Sequence, residues 1–154
     1  MKMRSLRKQQ GAEVVEFAIA SILLFLILFG IIELSVALFD KATLTNASRE
    51  GARTGILFRP PDEATGMRDI DAENAAIKQV IQKYAEDYLI SLGGVSEMTI
   101  TIQRVELSGN TVFDAGDEVI VTIDYPYKYL ILPGFIGTLG GALDLSSTTV
   151  MRAE

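Results

Sequence analysis

The side chains best placed to do chemistry in this chain are its acids and tyrosines. It has 154 residues with no His and no Cys. That removes the commonest general base, the thiol nucleophile, the thiolate metal ligand and any disulfide. Two acids, Glu16 and Glu33, bracket an apolar run, and "DAGDE" (114–118) places three acids in five residues. Tyr125, Tyr127 and Tyr129 alternate along one segment. No nucleophile–base pair, phosphate-binding glycine loop or carboxylate cluster at metal-ligand spacing accompanies them. "DAGDE" reads as a solvated hairpin turn ahead of a cation site, and the tyrosines suit a sheet face or a partner surface. We therefore expect no enzyme, no cofactor and no metal.

The elements around the two acids matter more. Phe17 to Ile32 is sixteen residues without a charge, and after Glu33 the apolar character continues to Phe39. Phe17 to Phe39 as a helix is about 34 Å long, enough to cross a hydrocarbon core of about 30 Å. A buried soluble helix apolar on all sides would need more core than the rest of this chain supplies. A cleaved secretory signal would have a shorter apolar region and a small-x-small site. Charge gives the direction. Lys2, Arg4, Arg7 and Lys8 precede Gly11 with no acid, and ten basic against twenty acidic residues follow it. That asymmetry predicts a cytoplasmic N-terminus and an external C-terminal part. The acidic body argues against nucleic-acid binding.

Glu33 has two placements. If the span starts near Ala12, about 20 residues reach Ile31 and Glu33 meets the outer membrane interface. If it runs from Phe17 to Phe39, the carboxylate is immersed at a cost of about 2.5–3.5 kcal/mol. The first is favoured over a buried contact between subunits. It leaves Leu34, Val36, Leu38 and Phe39 above the membrane, in want of a partner helix.

The junction "RKQQGAEVVEF" (7–17) resembles the type IV prepilin processing signal: a basic leader, a glycine, an acid five residues on, then the apolar helix. The resemblance implies cleavage by a prepilin peptidase between Gly11 and Ala12, with the helix kept as an anchor. Ala12 stands where many type IV pilins have Phe. It also implies an assembly role for Glu16 and Phe17. An acid near a helix start is favoured by the macrodipole, and Glu16 would lie about one turn from the new amine of Ala12, in its own chain or a neighbour's. Further on, "FGIIEL" and "LTNASREGARTG" resemble the TadE-like family of Tad (Flp, tight-adherence) pilus systems, as does the ending "LSSTTVMRAE". Asn46, Arg49, Glu50, Gly51, Ala52 and Arg53 carry the match. Arg49, Glu50 and Arg53 are candidates for a salt-bridged helix face or a solvated charged turn.

Past the helix, whose stops are Gly55 and Pro60, "RPPDEATGMRD" reads as a loop. Residues 71–92 read as an amphipathic helix capped by Asp71 and ended by Gly93-Gly94, with Ile77, Val80, Ile81, Tyr84, Tyr88 and Leu89 on one face. "MTITI" alternates with Met98, Ile100 and Ile102 inward, and "EVIVTIDY" with Val119, Val121, Ile123 and Tyr125 inward. "LDLSSTTVMR" supplies a last strand. "YLILPGFIG" between them, with Leu132 and Phe135, is either a contact surface or a cover for the core.

The expected fold is α+β. Residues 1–11 are a basic leader, 12–55 a transmembrane and juxtamembrane helix, and 56–154 an extracytoplasmic domain of one helix on about three antiparallel strands. The resemblance implies a single-pass inner-membrane pseudopilin or minor pilin acting structurally in pilus biogenesis, adherence or secretion. Its implied partners are a prepilin peptidase, other pilin or pseudopilin subunits, the inner-membrane assembly platform and membrane lipid. The candidate interface residues are Glu33, Asn46, Arg49, Glu50, Arg53, Leu132 and Phe135. The rivals are an uncleaved signal-anchor scaffold or sensor of the envelope, and an envelope enzyme with converging acids in a pocket.

Overall fold

The computed structural model describes residues 7–57, 69–91, 94, 96–107, 113, 115–129 and 143–153. Helix α1 (Arg7–Ile56) runs 50 residues without a break, since no proline interrupts the chain before residue 60. Helix α2 spans Ile70–Tyr88, and strands β1 (Thr99–Val105), β2 (Glu118–Tyr127) and β3 (Leu143–Arg152) follow. The sheet order is β1-β2-β3 with both pairings antiparallel. Helix α1 lies across β2 and β3, and α2 packs beside it with Ile77 and Ile81 in the same core as Val119, Val121 and Ile123, so the architecture is α+β as expected.

Alternation sets the sheet. Val119, Val121, Ile123, Tyr125 and Tyr127 of β2 point inward and are buried, while the residues between them are half-exposed. Ile100, Ile102 and Met98 pack on the same core. The outward face is threonine-rich, with Thr101, Thr122 and Thr148 in one cross-strand row.

Two details of α2 correct the sequence reading. Its N-cap is Asp69, whose side chain accepts from the Ala72 N–H at 2.9 Å, and Asp71 lies in the first turn. The helix also ends at Tyr88, well before the glycines. Leu89 turns extended, and the Ile90 N–H is taken by Asp40 Oδ1 of α1 at 2.9 Å. A side chain from the neighbouring helix thus satisfies a donor that continued helix would have used.

The buried face of α2 is also rotated from the expected one. It is Glu73, Ile77, Ile81 and Ala85; Val80 and Tyr84 are only half-buried and Tyr88 is exposed. The reason lies in α1, where Gly51 and Gly55 leave room for Ile77 and Ile81. A Cβ added at Gly51 would come 2.6 Å from Ile81 Cδ1. Glu73 is buried because Arg104 of β1 meets it at 3.2 Å and also donates to Asn74 Oδ1.

The "DAGDE" turn is not a solvated one at Asp117. That residue is fully buried, its Oδ1 accepting from the Leu107 N–H at 2.7 Å. Its carbonyl accepts from the Ala153 N–H and the Gly116 N–H donates to the Ala153 carbonyl, both at 2.8 Å, so this turn is tied to the residue after β3 by main chain and to Leu107 by the carboxylate.

Candidate functional site

Helix α1 changes character at Glu33. From Gly11 to Ile32 no residue is buried, and the large apolar side chains face outward on every side. These residues, about 32 Å of helix, match the thickness of a bilayer core. One helix is thus long and apolar enough to cross a membrane, and it lies bare rather than packed into a core. From Glu33 onward one face is covered by the domain: Glu33, Ala37, Asp40, Leu44, Ala47, Gly51 and Gly55 recur in steps of four and three. Ser48, fully buried, joins this face to β3 through Ser147 Oγ at 3.0 Å and Thr149 Oγ1 at 2.7 Å.

The structure corrects the placement of Glu33. Its side chain does not face headgroups; it is fully buried within the subunit, and the Tyr127 O–H donates to its Oε1 at 2.8 Å. Tyr127, at the end of β2, is itself buried, and Tyr129 sets its ring edge-on at 5.6 Å. Burial first, then the bond to Glu33 and the nearby charges of Glu33, Asp40 and Tyr129, holds the Tyr127 phenol above its ordinary range. The phenol therefore stays a proton donor to the carboxylate. One turn or two further on, Asp40 is also fully buried, with Oδ1 on Ile90 and Oδ2 without a hydrogen-bond partner. Burial raises its carboxyl pKa, and the Ile90 N–H partly opposes that. Two acids on one helix face thus bolt the sheet and the end of α2 to α1. Leu34, Leu38 and Phe39 remain exposed on the opposite side.

The other candidate residues fall into two separate places. Gly11, Ala12, Glu16 and Phe17 lie on the bare end of α1, all exposed, with the Gly11–Ala12 bond inside the helix. Asn46, Arg49, Glu50 and Arg53 lie about 50 Å away along the axis. They line a groove between the two helices, facing Lys83 and Tyr84 of α2. Of the two readings left open for Arg49, Glu50 and Arg53, the salt-bridged face is not formed: among the described residues they make no ion pair and are exposed. Glu50 and Arg53 have the three-residue spacing that permits pairing on a helix, yet both side chains point to solvent without meeting. Leu132 and Phe135 lie outside the described residues.

Sequence reasoning missed Tyr127 as the partner of Glu33, and Asp40 and the Glu73–Arg104 pair altogether. Arg104 did carry a signal, since it continues the inward series Ile100, Ile102 by period two. Asp40 carried one too, seven residues after Glu33 and so on the same face.

Residues 11–53 match the family model described as TadE-like protein. The match begins at Gly11 and ends at Arg53, covering the bare helix, the buried acids and the α1 side of the groove. No curated protein matches the chain. No solved structure matches it either.

Proposed function

We propose that this chain is a pilin-like subunit of a Tad-type pilus system: a pseudopilin or minor pilin, processed between Gly11 and Ala12, that acts structurally rather than as an enzyme. The observation that carries the reading is the helix itself. Residues 11–32 are bare and apolar, residues 33–55 are clamped into a folded domain, and the segment matching the TadE-like family model spans both parts. Such a helix serves first as a membrane anchor and then, drawn out of the bilayer, as a surface that neighbouring helices cover. The basic leader supports a cytoplasmic N-terminus, and the acidic domain an extracytoplasmic position.

Glu16 sits at the fifth mature position on this bare part. In an apolar bundle of subunits a carboxylate there needs a cationic partner, and the amine freed at Ala12, in the same chain or a neighbour, is the nearest one. Partners of this role are a prepilin peptidase, other pilin-like subunits and the inner-membrane platform that assembles them.

The test is the intact mass of the membrane-extracted protein with and without its prepilin peptidase. A chain shortened by its first eleven residues only when the peptidase is present supports the reading. A chain that keeps Met1 under both conditions overturns it and puts an uncleaved signal anchor in its place.

A further inference from the structure

Two grooves flank α2, and their chemistry is complementary. The first, of about 630 Å³, is the α1–α2 groove with Arg49, Arg53 and Lys83. Glu50 and Asp87 also line it, so its formal charge is +1. Yet none of the three cations forms an ion pair with them among the described residues. Three unpaired cations are notable on a chain of net charge −6. Lipid is not their partner, because Arg49 stands about 25 Å of helix beyond Ile32, well outside the ~10 Å over which surface charge acts in salt.

The second groove, of about 690 Å³, lies on the other side of α2, between its last turn and the start of β1. Among the described residues Glu86 and Glu97 line it and no basic residue does, which gives them a formal charge of −2. It also holds hydroxyls. Ser91 Oγ and Tyr125 Oη lie 3.2 Å apart at its wall. Ser96 is 8% exposed and its Oγ has no hydrogen-bond partner. An unsatisfied buried hydroxyl is costly unless something else completes it. A guanidinium has five donors and no acceptor. Two carboxylates and a spare hydroxyl oxygen are the set that would take one up.

We propose that a second copy of this chain docks head to tail, its Arg49/Arg53 face entering the Glu86/Glu97 groove. The proposal deepens the assembly reading above and rests on it for its biological setting. The donor face and the acceptor groove are different surfaces on opposite sides of one helix. The contact is therefore heterologous: the pair keeps one free cationic face on one copy and one free acidic groove on the other, and the series stays open unless it closes into a ring. The outer domain thereby contributes a contact of its own, in addition to any packing of the bare helices. The charge pairs at the rim set register and partner choice more than raw affinity.

The chain has no native cysteine, which makes the test clean. Full-length Asn46→Cys and Gln82→Cys proteins, each changed at an exposed residue lining one groove, are purified in mild detergent, mixed and gently oxidised. The expected result is a disulfide-linked mixed dimer at least tenfold above the dimer each variant gives alone. Adding Arg49→Glu and Arg53→Glu to the Asn46→Cys chain should abolish it. Adding Glu86→Lys and Glu97→Lys to the other chain should then restore it. All four of these positions are exposed, and circular dichroism checks that the variants stay folded. Absence of the mixed dimer, equal dimer from either variant alone, or indifference to charge reversal overturns the docking. Because processing is read separately by mass, loss of the cross-link with normal processing refutes this contact alone.

Discussion

Replacing Tyr127 by Phe removes one oxygen from the bolt between β2 and α1. The ring still fits, so the cost is that of the hydrogen bond to Glu33 and little else. Tyr127 is 2% exposed and Glu33 0%, so water cannot replace the lost donor without opening the core. A hydrogen bond to a charged group contributes about 1.5–3 kcal/mol. Glu33 has a further interaction beyond this bond, which puts the expected loss near the lower end, about 1.5–2 kcal/mol. The reverse change, Glu33→Leu, strands the phenol and should cost a comparable amount. The double variant places two apolar groups face to face and should recover much of either loss. The coupling between the two sites should therefore be about 1–2 kcal/mol. The assay is urea unfolding of the full chain in mild detergent, followed by near-UV circular dichroism. The signal belongs to the tyrosines, since the chain has five Tyr and no Trp. With a urea dependence of about 1–3 kcal/mol per molar for a domain of this size, the midpoint should drop by roughly 1 M in each single variant. A Tyr127→Phe protein that unfolds with the wild type, or a coupling below about 0.5 kcal/mol, would refute the idea that this pair fastens the domain to the helix.

The other expectations concern the same helix. Asp40 has a raised carboxyl pKa, so the folded state holds its proton longer than the unfolded state does. Its effect on stability is therefore most favourable below the ordinary aspartate value of 3.8 and is lost as pH rises through the raised folded-state pKa. Asp40→Asn keeps an acceptor for Ile90 and should match the wild type at pH 4 but exceed it at pH 7, by comparison of urea midpoints; an unchanged difference between the two pH values refutes this. Gly51→Ala adds a methyl 2.6–2.7 Å from two Ile81 carbons. Its gain in helix propensity of about 1 kcal/mol should be outweighed, giving a net loss of about 1–2 kcal/mol by thermal melting. Glu16→Ala lies on the bare part of α1 and should leave the urea midpoint unchanged. It should still depress recovery of the chain in sheared filaments or its co-purification with other subunits, and normal recovery would remove the assembly role.

Much of the fold could be read from pattern. The strands alternate with strong β-formers at Ile100, Ile102, Val119, Val121 and Ile123, and burial follows that alternation. The bare helix is equally plain, because sixteen uncharged residues admit few other readings. What was hidden is the covered half of α1. Its inward face has one large apolar residue, Leu44, among Ala37, Ala47, Gly51, Ala52 and Gly55, with Glu33, Asp40 and Ser48. Small and polar residues carry almost no hydrophobic periodicity, so the face that holds the domain looked like an exposed one. The acids misled for the same reason: Glu33 had a sensible place at a membrane surface, and only the fold brings Tyr127 to it from 94 residues away. The error on α2 is related. Tyr84 and Tyr88 look like core by size, but the glycines of α1 select the slimmer line of Ile77, Ile81 and Ala85. Of the candidate residues, Gly11 and Glu16 stood out by their spacing, and Asn46, Arg49 and Arg53, which the structure brings to one groove, stood out only through resemblance.

The unbroken course of α1 sets an angular relation between its two ends. Each residue advances a helix by about 100°, so Glu16 stands about 100° around the axis from the face that Glu33 presents to the domain. The domain cannot slide around the axis to adjust, because Tyr127, Ile90 and Ile81 lock onto fixed positions of the helix. A torque or pull applied at the bare end is therefore carried to the domain through these fixed contacts, as along a keyed shaft. Adding or deleting one residue between Phe17 and Ile32 would leave the hydropathy of the anchor almost unchanged. It would nonetheless swing the Arg49 groove by about 100° relative to Glu16. A change in the length of the apolar run therefore alters phase as well as span.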